Sequence, residues 1–253
     1  MRQSREGSIE YILKTNYYNA MKNKILFLGL LMLSISIINP VSAEEQERDV
    51  PSFSKISLRI SANVHLEQGA KQSVRIEAKS STLEDLITEV KDRTLNIRFP
   101  NNLLFRFQNP GKIDIFITVP EIDGLTISGS GDIIAGDVET RILDLTVSGS
   151  GNIKIDNLKA DRISATISGS GGININDGGV ADELKATISG SGNIKASDFE
   201  ADEVSARISG SGNCSVKSNG SINARIAGSG SVYYSGNPSI DSSVAGSGRV
   251  KKL

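Results

Sequence analysis

Histidine and cysteine each occur once in the 253 residues, and tryptophan is absent. A single His, His65, excludes a catalytic triad built on histidine and any multi-histidine metal centre, and a single Cys, Cys214, excludes a zinc site of thiolates. One cysteine also forms no internal disulfide, so stability has to come from packing. Beyond residue 43 the only tyrosines are Tyr233 and Tyr234, which leaves few aromatic faces for stacking on sugars. Basic residues are not concentrated either. Residues 44–253 carry 23 Lys/Arg against 27 Asp/Glu, and a mildly acidic chain without a basic cluster does not suit nucleic acid, whose phosphates require dense Lys and Arg. Proline is scarce at 6, whereas glycine reaches 25.

Long apolar runs are confined to the N-terminus. Met21 opens "MKNKILFLGLLMLSISIINPVSA", with Lys22 and Lys24 as a positive start, a 14-residue apolar run from Ile25 to Ile38, and Val41-Ser42-Ala43 as a small-residue cleavage site. This is the pattern of a secretory signal; a bilayer span needs about 20 apolar residues. Residues 1–43 are therefore read as leader and signal peptide, with translation starting at Met21 or, with an extended leader, at Met1. Nothing further along is apolar enough to span a membrane. A short charged linker is expected over 44–50. The exported chain belongs at the cell surface, outside the cell or in the periplasm.

The glycines recur in order. "ISGSGDI" at Ile127 is followed by near-copies beginning at Val147, Ile167, Ile188, Ile208, Ile226 and Val244, spaced by 20, 20, 21, 20, 18 and 18 residues. Periods near 20 with a repeated turn mark a solenoid. Aligning the copies produces apolar columns. Ile127, Val147, Ile167, Ile188, Ile208, Ile226 and Val244 precede the turn, and Ile133, Ile153, Ile173, Ile194, Cys214, Val232 and Val250 follow it. Within each copy apolar and polar residues alternate, as in "LDLTVSGSGNIKI", which is the period of a strand with one buried face. Each copy reads as two short strands joined by a G-S-G corner, stacked one coil per repeat into a parallel β-solenoid of about seven rungs over 121–253. Positive φ at both glycines and a small Ser between them are the expected reasons for the corner. Lys251 and Lys252 are expected to discourage the last open strand from pairing.

Residues 51–120 keep the alternation, for example at Ile56, Leu58 and Ile60 and at Ile113, Ile115 and Ile117, with a helix or turn near Leu83–Ile87. They read as a β cap continuous with the solenoid. "NNLLFRFQNPG" breaks the pattern: Leu103, Leu104, Phe105 and Phe107 form either a plug over the end of the stack or an apolar tip for a protein or glycan partner.

Chemistry-bearing patterns are few. The G-S-G loops lack the Lys-Ser/Thr and following helix of a nucleotide-binding loop, and they carry Ser where calcium-binding repeats carry Asp. Asp161, Asp182 and Asp202, in "KADRI", "VADEL" and "EADEV", are expected to stack on the edge opposite the turns as a solvated corner. Cys214, in an aliphatic column, is expected to be a buried apolar residue. No catalytic, cofactor or metal residue is assigned.

The SGSG copies at Ser128, Ser148, Ser168, Ser189 and Ser209, the AGSG copies at Ala227 and Ala245, and the stretches "FSKISLRISANVHLEQG" (Phe53–Gly69) and "KIDIFITVPEIDGLTISGSG" (Lys112–Gly131) resemble the head GIN domain family of autotransporter-like adhesins. The resemblance implies a right-handed β-helix shaped like the pectin lyases without their catalytic residues, in an exported Gram-negative protein that serves cell adhesion. A non-enzymatic surface interaction module is thus the leading expectation. A polysaccharide-binding or polysaccharide-degrading protein and a periplasmic structural protein are the rivals.

Overall fold

In the computed structural model, residues 44–100 and 110–253 are described. Residues 1–43, expected to be leader and signal peptide, and the apolar group Leu103, Leu104, Phe105 and Phe107 lie outside the described residues.

The alternating copies form a parallel β-solenoid in which one coil equals one repeat. The strands β8 (Gly124–Gly129), β10 (Val138–Gly149), β12 (Leu158–Gly169), β14 (Gly179–Gly190), the end of β15 (Asn193–Gly210), β17 (Ser221–Gly228) and β19 (Ser239–Gly246) pair in parallel. Their register aligns Ser128, Ser148, Ser168, Ser189, Ser209, Ala227 and Ala245, so all seven G-S-G corners stand in one column. We call this side A. Beyond the corners, side B is the ladder of β9 (Asp132–Ala135), β11 (Asn152–Ile155), β13 (Gly172–Ile175), the start of β15, β16 (Asn213–Lys217), β18 (Ser231–Ser235) and β20 (Arg249–Lys252). Each coil has a third side that the two-strand reading missed. The first residues of β10, β12 and β14 and the middle of β15 form side C, in the rows Val138, Leu158, Gly179, Phe199 and Thr140, Ala160, Ala181, Ala201, before the chain bends into side A. The 18-residue repeats lack most of this side. There, buried Ser218 donates its hydroxyl to the Asp202 carbonyl at 3.0 Å and closes the shorter path.

The interior is the set of aliphatic columns. Ile127, Val147, Ile167, Ile188, Ile208 and Ile226 are all at most 3% exposed. So is the column of Ile133, Ile153, Ile173, Ile194, Cys214 and Val232. Burial pushes the Cys214 thiol up to about 12, and the thiolate is the reactive form. Cys214 is therefore expected to resist a thiol reagent at pH 8 in the folded protein and to be labelled fully in denaturant, a difference read by mass spectrometry.

The repeated corner has two distinct glycines. The first, at 129, 149, 169, 190, 210, 228 and 246, has φ between 121° and 141°, a region that favours glycine. The second, at 131, 151, 171, 192, 212, 230 and 248, does not appear among the positive-φ residues and is required for another reason. A Cβ on Gly171 would lie 2.2 Å from the Gly151 carbonyl oxygen. That approach lets each coil bond to the one before it: Ser150 and Gly151 both donate their N–H to the Gly129 carbonyl, at 2.9 and 3.0 Å, and Ser170 and Gly171 do the same to Gly149. The Ser between the glycines points to solvent. The corner is repeated because each copy is the hydrogen-bonding partner of the next.

At the N-terminal end the order of coils departs from chain order. β2 (Lys55–Leu58) and β3 (Asn63–Gln68) form the coil against β8 and β9. "LRISANV" there occupies the position of "ISGSGDI", with Leu58 aligned to Ile127 and Val64 to Ile133. β6 (Thr94–Arg98) and β7 (Asp114–Val119) form the coil beyond it. Outside that coil, β5 (Ile87–Lys91) pairs antiparallel with β6, β4 (Ser73–Ala78) with β7, and β1 (Glu44–Glu47) with β4. The stretch expected as a linker over 44–50 thus contains an edge strand. Between β4 and β5, helix α1 (Ser80–Asp85) buries Leu83, whose carbonyl accepts a bond from the Arg48 guanidinium at 2.6 Å. This end is capped. At the other end Ile240 and Val244 are 40% and 39% exposed.

Candidate functional site: the groove on side C

Side C carries two hollows of the described surface, and a smaller one of about 290 Å³ lies on side B around His65, Arg75 and Phe116. The two on side C adjoin, measure about 650 and 670 Å³, share Glu139 and Lys159 and run from Gln68 to Asp202. The sequence builds this groove through alternation. On each pass alternate positions, such as Leu158 and Ala160 or Phe199 and Ala201, enter the core, and the residues that follow them, such as Lys159 and Asp161, point out. One outward row is Glu139, Lys159, Val180, Glu200 and Lys217, in register from coil to coil. The second is Arg141, Asp161, Asp182 and Asp202, at the bend where the ladder skips one residue.

The acidic residues picked from sequence are therefore brought together, but on the bend between sides C and A, and with basic neighbours. Lys159 Nζ lies 2.8 Å from Glu139 Oε1, Arg141 Nε 3.6 Å from Asp161 Oδ2, and Lys217 Nζ 2.9 Å from Glu200 Oε2. The hydrogen bond to Glu139 holds the Lys159 ammonium above its usual range. The hydrogen bonds from Lys217 and then Asn219 hold the Glu200 carboxyl below its own. A general acid for glycoside cleavage needs a carboxyl held protonated near neutral pH; Glu200 is shifted the opposite way. The groove can present a pattern of charges, with Val180, 53% exposed, as an apolar contact among them. Sequence reasoning singled out the Asp column but missed Glu139, Lys159, Val180 and Glu200, whose common row becomes visible only once side C is counted as a strand.

The other candidates lie elsewhere. His65 is on side B, stacked on Phe116 at 4.9 Å between ring centroids and 3.6 Å from Asp114 Oδ1, with the Arg75 guanidinium 4.1 Å from the Phe116 ring. Burial acts to raise the Asp114 carboxyl, but hydrogen bonds from Lys112 and Asn63 outweigh it and bring it below its usual range. This cluster joins β3, β4 and β7 and belongs to the cap. From the second corner to the sixth, the Ser and Gly N–H groups that would donate to an anion are bonded to the preceding coil, so these corners offer no phosphate cradle. Among the described residues no group of three or more metal-ligating side chains converges, and no helix is long and apolar enough to cross a membrane.

The fold and groove define a parallel β-solenoid with a lateral charged face. Residues 52–238 match the family model described as "Putative auto-transporter adhesin, head GIN domain", and the chain belongs to that family. It is similar to the crystal structure of a putative adhesin from Bacteroides fragilis, at 27% identity over 83% of this chain and 97% of that one, with a TM-score of 0.77. A putative lipid binding protein from Parabacteroides distasonis matches at 27% identity over 85% and 98%, with a TM-score of 0.68. A putative adhesin from Parabacteroides merdae, at 23% identity and a TM-score of 0.67 over 85% and 97%, shares the fold. A comparison with curated proteins finds no match.

Proposed function

We propose that this protein is an exported, non-enzymatic adhesion module whose side C groove holds an extended polar ligand, a glycan or a peptide. The observation that carries the reading is the groove's two rows of charges, set coil by coil and tied by the pairs Glu139–Lys159, Arg141–Asp161 and Glu200–Lys217. Such a surface binds without performing chemistry. Family membership supports adhesion, and the sequence of residues 21–43 supports export. The rival of polysaccharide degradation does predict charges gathered on one side, as found here, but it also needs a carboxyl poised to deliver a proton. A lipid, which one structural neighbour's name suggests for that protein, would meet charged side chains in this groove. The apolar group Leu103, Leu104, Phe105 and Phe107 is proposed as a second contact beside the groove's own.

Two measurements test this. Protease shaving of intact cells, with the protein carrying a C-terminal tag, is expected to remove the tag; retention of the tag until osmotic shock would place the protein in the periplasm and remove the basis for adhesion. In a cell- or glycan-binding assay, D161N/D182N/D202N is expected to lower binding about tenfold, which corresponds to roughly 1.4 kcal/mol, without lowering the melting temperature. If F105S/F107S abolishes binding and the groove variant leaves it intact, the ligand sits on the loop instead.

A further inference from the structure

The two ends of the solenoid carry opposite charge on the same side. Side B terminates at the N-terminal end in β1, "EEQE", and at the C-terminal end in β20, "RVKK"; each is four residues long. Among the described residues each is paired along one edge only, β1 with β4 and β20 with β18. β1 runs antiparallel to β4 and β4 antiparallel to β7, so β1 points the same way as β7, β3 and every later strand of side B, β20 included.

The register extends this match to single residues. One outward row begins at Glu47 and passes through Arg75, Phe116, His65, Ile134, Lys154, Asn174, Lys195, Ser215 and Tyr233 to Lys251. The neighbouring row begins at Glu45 and ends at Arg249. A second copy displaced along the solenoid axis sets its Glu45 over Arg249 and its Glu47 over Lys251, and its β1 adds to β20 as one more parallel strand. At the receiving end the outer edge of β20 has no partner strand among the described residues.

We propose that the occupant of this open end is a second copy of the chain, associating head to tail through β20 and the next copy's β1. The contact is heterologous, so each copy retains a free β1 and a free β20, and growth does not close. Lys251, expected from sequence only to repel a neighbour, repels another C-terminal end and attracts Glu47 of an N-terminal one, as Arg249 does Glu45. Side A contributes no pairing to the junction. There the N-terminal cap adds one strand, β5, outside β6, whereas side B adds two, β4 and β1, outside β7. The association is consequently weak, built on four-residue strands and exposed charges, and salt reduces it.

The test uses protein expressed with its own leader and recovered after export, and does not depend on the ligand. The double variant E47C/K251C, oxidised at low salt, is expected to give a ladder of dimers, trimers and higher species; buried Cys214 takes no part. Neither single variant links to itself, and an equal mixture of E47C and K251C stops at the dimer. Raising salt to about 0.5 M is expected to lower the yield about tenfold. The additional change R249E abolishes the ladder, and pairing that protein with one carrying E45K restores it. A double variant that stays monomeric overturns the proposal, as does K251C linking to itself, which would mean that two C-terminal ends meet.

Discussion

Gly171→Ala is expected to destabilise the protein by about 3 kcal/mol or more, at the upper end of what overpacking costs in a close-packed interior. The added methyl would lie 2.2 Å from the Gly151 carbonyl oxygen and 2.6 Å from Val147 Cγ1, with another coil stacked on the far side of the corner. Backbone on both faces leaves no direction in which to relax. Gly129→Ala provides the contrast. Its φ is 141°, but nothing lies within 4 Å of the added atom, so only backbone strain opposes it, on the order of 1 kcal/mol. Ser170→Ala, at a solvent-facing position, is expected to stay within about 0.5 kcal/mol of the parent. Urea unfolding followed by far-UV circular dichroism ranks the three. Equal losses for Gly171→Ala and Gly129→Ala would mean that backbone conformation, and not the approach of coil to coil, explains the second glycine.

That contrast also marks what the sequence reveals and what it conceals. The seven corners, their register and the inward columns are legible because they repeat: period 2 fixes the face and period 20 fixes the stacking. The coil at 55–68 lies hidden because its corner is written Arg59-Ile60-Ser61-Ala62 in place of Ser-Gly-Ser-Gly, and only strand pairing exposes the equivalence. The exchange of order between β2–β3 and β6–β7 has no local signal, since a strand carries no mark of which neighbour it will take. Side C escaped for a different reason. Its inward residues are Val138, Leu158, Gly179 and Phe199 in one row and Thr140, Ala160, Ala181 and Ala201 in the next. Small, changing residues of this kind give weak alternation, and the bend at Arg141, Asp161, Asp182 and Asp202 shifts the phase just before side A begins. The groove was therefore visible in sequence only as an acidic column without a floor.

Phe199 shows that this floor is built with care for volume, and Phe199→Ala is expected to cost about 3–5 kcal/mol, the range for emptying a buried aromatic site. The ring is 0% exposed and is the largest fully buried side chain among the described residues. In its inward row it stands beside Gly179, which contributes no side chain, with Leu158 next. Gly179 cannot share the task, because a Cβ there would lie 1.8 Å from the Leu158 carbonyl oxygen. The adjacent coils are fixed by their own ladders, so the cavity left by alanine cannot close. Phe199→Leu retains most of the volume and is expected to cost about 1.5 kcal/mol or less. The site connects fold to function. Glu200, the next residue, faces outward in the groove and bonds Lys217 and Asn219, so loosening side C displaces that charge. Phe199→Ala should then weaken ligand binding at temperatures where the rest of the solenoid remains folded, whereas Ile208→Val, on side A, should lower stability by about 0.5–1.5 kcal/mol and leave binding unchanged. Equal binding losses for the two would detach the groove from side C packing and return the contact to Phe105 and Phe107.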